Sequence, residues 1–157
     1  MNNWKDQIDG FIRLCNDCDV RMLMVGGGAV NFHGYQRHSA DVDFWIDMNP
    51  ENLKNLVRVF RAMDYEIDDF PNDVKEQRQN ISIKFSPLDL DLELITNFSV
   101  NKTFEEAYRN SEIVSKEENS GLKWRVLSFD DLITSKIKSG RPKDLLDVQE
   151  LQKVKRG

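Results

Sequence analysis

The chain has 157 residues, 39% of them hydrophobic and 31% charged. That suits a soluble globular protein of one domain over 1–157, long enough to bury about two-thirds of its unfolded surface. No stretch approaches the roughly 18 apolar residues of a membrane span, and the start MNNWKDQIDG lacks the basic and apolar parts of a signal peptide, so a cytoplasmic location is expected. With 22 Lys and Arg against 27 Asp and Glu the net charge is −5, which argues against a surface coated for nucleic acid but not against one local basic patch.

In chain order, the first predicted element is a helix. Trp4, Ile8, Phe11, Ile12, Cys15 and Cys18 recur at helical spacing, with Lys5, Asp6, Arg13 and Asn16 on the other side. Cys15 and Cys18 form a C-x-x-C pair, but zinc would need two more ligands at fitting spacing. A redox pair would sit at the start of a helix that follows a strand. These two fall late in a helix that precedes a strand, which makes core packing the better reading.

The stretch VGGGAVNFHGYQRHSADVDFWI, from Val25 to Ile46, concentrates the chemistry. An apolar strand, Met22 to Val25, breaks at Gly26-Gly27-Gly28; a short helical pattern follows and Gly34 closes it. Glycines there let backbone N–H groups approach a phosphate, and a helix start favours negative charge. Asp41 and Asp43 then flank Val42 on a strand, so their side chains share a face about 6.6 Å apart along it. Two carboxylates so placed can bracket hard divalent cations. A phosphate cradle beside metal carboxylates points to phosphoryl or nucleotidyl transfer. Arg37, just before the acidic strand, can bind phosphate or neutralise the carboxylates. His33, on the short helix, reads as a packing or hydrogen-bonding residue.

Asn49-Pro50 opens another helix, Asn as N-cap and Pro in the first turn, with Leu53, Leu56, Val57, Phe60 and Met63 as its buried stripe. Residues 64–79 are polar, broken by Pro71, and expected to form a loop with a short helix. Ile81, Ile83 and Phe85 alternate as a strand. From Leu88 to Ile95 the leucines face one way and Asp89, Asp91 and Glu93 the other. Thr103 with Glu106 is a capping box. Strands are expected at Ile113-Val114 and at Leu122 to Val126. Ser128 with Asp131 starts a further helix, in which Leu132, Ile133, Lys136 and Ile137 share a face. Gly140 ends it, and Pro142 opens the last helix, with Leu145, Val148 and Leu151 expected inside. Lys136 is an ammonium on an apolar face: it can reach a phosphate, snorkel, or pair with Asp144 or Asp147.

Gly26-Gly27, thirteen residues and Asp41-Val42-Asp43 resemble the signature of the polymerase-β-like nucleotidyltransferase superfamily. The fuller string GGGAVNFHGYQRHSADVDFWI is similar to small bacterial nucleotidyltransferases of toxin–antitoxin and abortive-infection systems. So is LSFDDLITSKIKSGRPKDLLDV, where a Lys precedes a Ser-Gly-Arg-x-Lys-Asp segment. The resemblance covers about residues 22–46 and 88–150. It implies an α/β (α+β) nucleotidyltransferase-like fold: a mixed, twisted sheet with helices packed mainly on one face. It implies a third metal carboxylate on the strand beside Asp41 and Asp43. Thr96 and Phe104-Glu105-Glu106-Ala107 match the landmarks after it and point to Glu93; Glu stands where Asp is usual, so Asp91 is a rival. Asp41, Asp43 and Glu93 would hold Mg²⁺ or Mn²⁺, while Gly26, Gly27, Arg37, Ser39, Lys136 and Lys143 would bind the nucleotide. The expected reaction moves an NMP from an NTP, with ATP the expected donor, to a hydroxyl of an RNA (tRNA) or protein acceptor. A cognate antitoxin or toxin would be a partner, and no membrane is involved. A nucleotide-binding or antitoxin module that keeps the fold without turnover is the alternative.

Overall fold

The structure, a computed structural model, describes residues 4–36, 41–84, 91–115 and 122–156. Seven helices and six strands lie in these segments: α1 (Trp4–Asp17), β1 (Met22–Val25), α2 (Gly26–Phe32), β2 (Val42–Ile46), α3 (Pro50–Ala62), α4 (Asn72–Lys75), β3 (Ile81–Lys84), β4 (Asp91–Ile95), α5 (Phe104–Asn110), β5 (Glu112–Ser115), β6 (Lys123–Val126), α6 (Phe129–Ser139) and α7 (Pro142–Arg156). The strands form one mixed sheet in the order β3-β4-β2-β1-β6-β5. β1 runs antiparallel to β2, and β2 parallel to β4. The α/β expectation of a mixed sheet holds, but the helices, expected mainly on one face, cover both: the alternating strands are apolar on each side, so each face has to be buried. No helix among the described residues is long and apolar enough to cross a membrane.

Side-chain alternation builds two cores, one on each face of the sheet. Met22, Phe44, Ile46, Leu92 and Leu94 point to the larger core, covered by α1 and α3 through Phe11, Ile12, Cys15, Leu56 and Phe60. Leu23, Val25, Trp45 and Val126 point to the other, which Ala29, Val30, Ala107, Leu132 and Leu151 complete from α2, α5, α6 and α7. Cys15 and Cys18 are free thiols, and burial pushes the Cys15 thiol well above its ordinary pKa. That is the core role expected of them.

Local chemistry explains the helix ends. Asn49 Oδ1 accepts the Asn52 backbone N–H at 2.8 Å, and Pro50 occupies the first turn of α3. Thr103 and Glu106 form the full capping box of α5. Ser128 caps α6, and Gly140, at φ 63°, ends it in the left-handed conformation that glycine adopts without strain.

The last helix departs from expectation. Leu145 is 50% exposed and Ile137 55%, while Asp144, Asp147 and Leu151 form the buried side of α7. The reason is Lys136, which is buried on α6 and draws two carboxylates of α7 inward. That turns the leucine beside Asp144 towards solvent.

Candidate active site

β1 ends at Val25, and the chain turns straight into the seven-residue α2 at Gly26. The glycines therefore belong to the helix, which begins at them instead of after them. Gly26 makes the turn at φ +63°. The β1–β2 register sets Val25 opposite Asp43, and a Cβ on Gly26 would stand 2.4 Å from Asp43 Oδ2. The bare Cα is thus what gives the carboxylate its place. Gly26→Ala combines a left-handed φ with that collision. It should cost about 1–3 kcal/mol in a denaturant titration, and a cost under half a kcal/mol would show that Asp43 swings away freely.

In the parallel register of β2 and β4, Asp43 lies directly beside Glu93, with Val42 beside Leu92. Leu92 and Leu94 point into the larger core. By alternation Asp91 and Glu93 therefore share the opposite face with Asp43. Burial pushes the Asp43 carboxyl up to about 6; Asp41 and Glu93 push the same way, and Lys136 and Lys143 pull against them. These charges come from β2 and the residue just before it, from β4, and from α6 and α7, up to about a hundred positions apart in the chain.

The two candidates for the third carboxylate differ in setting. Glu93 accepts a hydrogen bond from Ser82 Oγ at 2.5 Å, across the β3–β4 pairing. Asp91 lies opposite Lys84, and its Oδ1 is shut from solvent with no hydrogen bond among the described residues. Ser82 escaped the sequence reading. The alternation in Ile81-Ser82-Ile83-Lys84 was a signal for it, because it sets Ser82 and Lys84 on one face.

Lys136 is held by neighbours in its own chain. Its Nζ lies 3.1 Å from Asp147 Oδ2 and 3.4 Å from Asp144 Oδ1, with all three side chains buried. Arg141 Nε donates to Asp144 Oδ2 at 2.7 Å. Burial pushes the Asp144 carboxyl up, but the Arg141 hydrogen bond and the charges of Lys136 and Arg141 outweigh it and hold the pKa below its ordinary value. Of the readings open for Lys136, the ion pair is the one its geometry displays; Lys143 stays exposed. His33 Nε2 lies 2.8 Å from the Leu127 carbonyl, and its ring packs edge-on against Phe129, which accords with its structural reading.

Arg37, Ser39 and Asp89 lie outside the described residues. Among the described residues, no three His, Cys, Asp or Glu side chains stand together closely enough to hold a metal ion. The donor chemistry nonetheless fits a hard divalent cation. The groups available are carboxylates on one face of two paired strands, one of them destabilised as an anion by burial and then by its acidic neighbours. Asp91 adds a buried oxygen with no hydrogen bond.

The sequence model of a family described as "Nucleotidyltransferase of unknown function (DUF6036)" matches residues 6–156. No curated protein matches the chain.

Proposed function

Since the chain belongs to this nucleotidyltransferase family, we propose that it moves a nucleoside monophosphate from an NTP, ATP foremost, to a hydroxyl of an RNA such as tRNA, or of a protein. The pairing of Asp43 with Glu93, beside the turn at Gly26, carries the reading. The acceptor oxygen forms a bond to the α-phosphorus, the bond from that phosphorus to the bridging oxygen breaks, and pyrophosphate leaves.

Asp41, Asp43 and Glu93 would hold Mg²⁺ or Mn²⁺, with Asp91 as the alternative third ligand. A bound divalent cation supplies positive charge against the triphosphate and makes an acceptor hydroxyl easier to deprotonate. Glu93, fixed by Ser82, takes that proton on a carboxylate oxygen. Gly26 and Gly27 leave room for phosphate, with Arg37 and Ser39 from the segment before β2. Lys143, and Lys136 from within its ion pairs, offset charge that develops on the leaving group. The likeness to toxin–antitoxin and phage-defence enzymes supports a role for this activity in such a system, in the cytoplasm, with a cognate antitoxin or toxin as partner.

The test is mass spectrometry of tRNA and of co-purified proteins after incubation with each NTP and Mg²⁺. A mass gain of one NMP, lost in EDTA, is expected; no adduct with any of the four NTPs would remove the reading. Within it, Glu93→Gln should lower transfer about a thousandfold with nucleotide affinity nearly intact. Asp91→Asn should cost tenfold or less. The reverse order in single-turnover rates would move the role to Asp91.

A further inference from the structure

The exposed side of α3 is unusual for a chain of net charge −5. Past Glu51, each exposed charged residue of α3 is a cation: Lys54, Arg58 and Arg61. They follow one another by four and three positions and so line one face, about 6 and 4.5 Å apart along the axis. They border a groove of about 610 Å³ whose floor is aliphatic, from Met48, Leu53 and Val57.

Two acids on the far wall are already engaged. Asp68 pairs with Arg61 at 3.0 Å, and Asp69 with Lys75 at 2.6 Å. Lys54 and Arg58 have no ion pair among the described residues; Arg58 only donates to Asn55 Oδ1, at 3.3 Å. The groove therefore keeps two uncompensated positive charges.

We propose that this groove holds the phosphate backbone of an RNA acceptor. The inference rests on the transfer reading for its purpose and selects RNA over protein as acceptor. Location supports a polymer over a small anion. The groove opens beyond the end of β2, at Met48, on the side of the larger core; Asp43 lies near the start of β2 on the opposite face. Five residues of extended chain put the two about 16 Å apart along the strand, before the thickness of the sheet is added. A nucleotide cannot span that distance, and a folded RNA can.

The chemistry fits backbone contact. A guanidinium forks onto phosphate oxygens, a lysine adds a point charge, and among the described residues no aromatic ring lines the groove for a base to stack on. Contacts of this kind fix position and carry no sequence information. With a net charge of −5 for the whole chain, the rest of the surface is net acidic and favours this cationic stripe for a polyanion.

The experiment is fluorescence anisotropy with labelled total tRNA and a labelled 20-nucleotide single strand, in 50 mM salt with EDTA and no NTP. The wild type should bind both. Lys54→Gln/Arg58→Gln should weaken binding about tenfold and lower the log–log salt slope by about 1.4. Lys153→Gln/Arg156→Gln on α7, the same change in net charge, should weaken it less than threefold. Equal weakening by the two pairs overturns the inference. So does absence of RNA binding by the wild type, which leaves the groove to an acidic protein. Ultraviolet cross-linking of the wild type, with peptide mapping, needs no variant: RNA should attach within 48–61, and attachment only elsewhere overturns the inference. RNA held by the groove without any adduct removes the transfer reading alone. RNA adducts formed at full rate by Lys54→Gln/Arg58→Gln remove the groove alone.

Discussion

Asp43→Asn is expected to abolish transfer, by about a thousandfold or more, and at the same time to raise the melting temperature of the metal-free protein. The carboxyl is pushed up to about 6 by burial and by Asp41 and Glu93. The folded state therefore holds its proton more tightly than the unfolded chain, where an aspartate titrates near 3.8. Folding is favoured while the group is protonated, and that advantage is lost as pH rises from about 4 through about 6. Above pH 6 the native protein carries the full cost of the ionised group. After a discount for solvent screening, that cost is about 1–2 kcal/mol. Melts in EDTA should then show the variant about 3–6 °C above wild type at pH 7.5 and level with it near pH 4. Added Mg²⁺ should narrow or reverse the gap, since it stabilises only the form that binds it. A variant that melts lower than wild type at pH 7.5 in EDTA, yet still transfers, would mark Asp43 as structural.

Lys136→Met is the second large effect. It removes the ammonium that lies 3.1 and 3.4 Å from two buried carboxylates and leaves Arg141 to compensate Asp144 alone. Breaking a buried ion pair from one side typically costs about 3–5 kcal/mol, because the remaining charge stays desolvated and unpaired. For a chain of this size that corresponds to a loss of about 9–15 °C in Tm. Adding Asp147→Asn to Lys136→Met should recover a substantial part of it by removing one orphaned charge. A loss below 1 kcal/mol for Lys136→Met would mean that water reaches the network. Calorimetry with ATP and Mg²⁺ on the rebalanced double variant then isolates any contribution of Lys136 to phosphate binding from its contribution to folding.

Short-range chemistry is where sequence and structure agree most closely. The caps at Asn49, Thr103 and Ser128 and the glycine end of α6 all stand where residue type placed them. Each rests on hydrogen bonds or dihedral limits that span only a few residues. The period-two leucines likewise determined which face of β4 is buried, and with it the acidic face of Asp91 and Glu93. Where periodicity was weak, it misled. The last helix carries leucines on more than one side, and pattern alone put Leu145 inside.

By itself, then, the sequence determined the elements, the two faces of each strand and the family, because these depend on local periodicity and on a motif contiguous in the chain. Only the tertiary structure decided the partners. Strand order and register put Glu93 beside Asp43, although fifty residues separate them in the chain. The close approach of β2 to the turn after β1 gave Gly26 its second constraint, against Asp43 Oδ2. The packing of α6 on α7 turned Lys136 from a lone cation on an apolar face into the centre of a buried ion network. Contacts of this kind follow from which apolar faces bury each other, a property of the whole sheet and its helices that no window of the sequence contains.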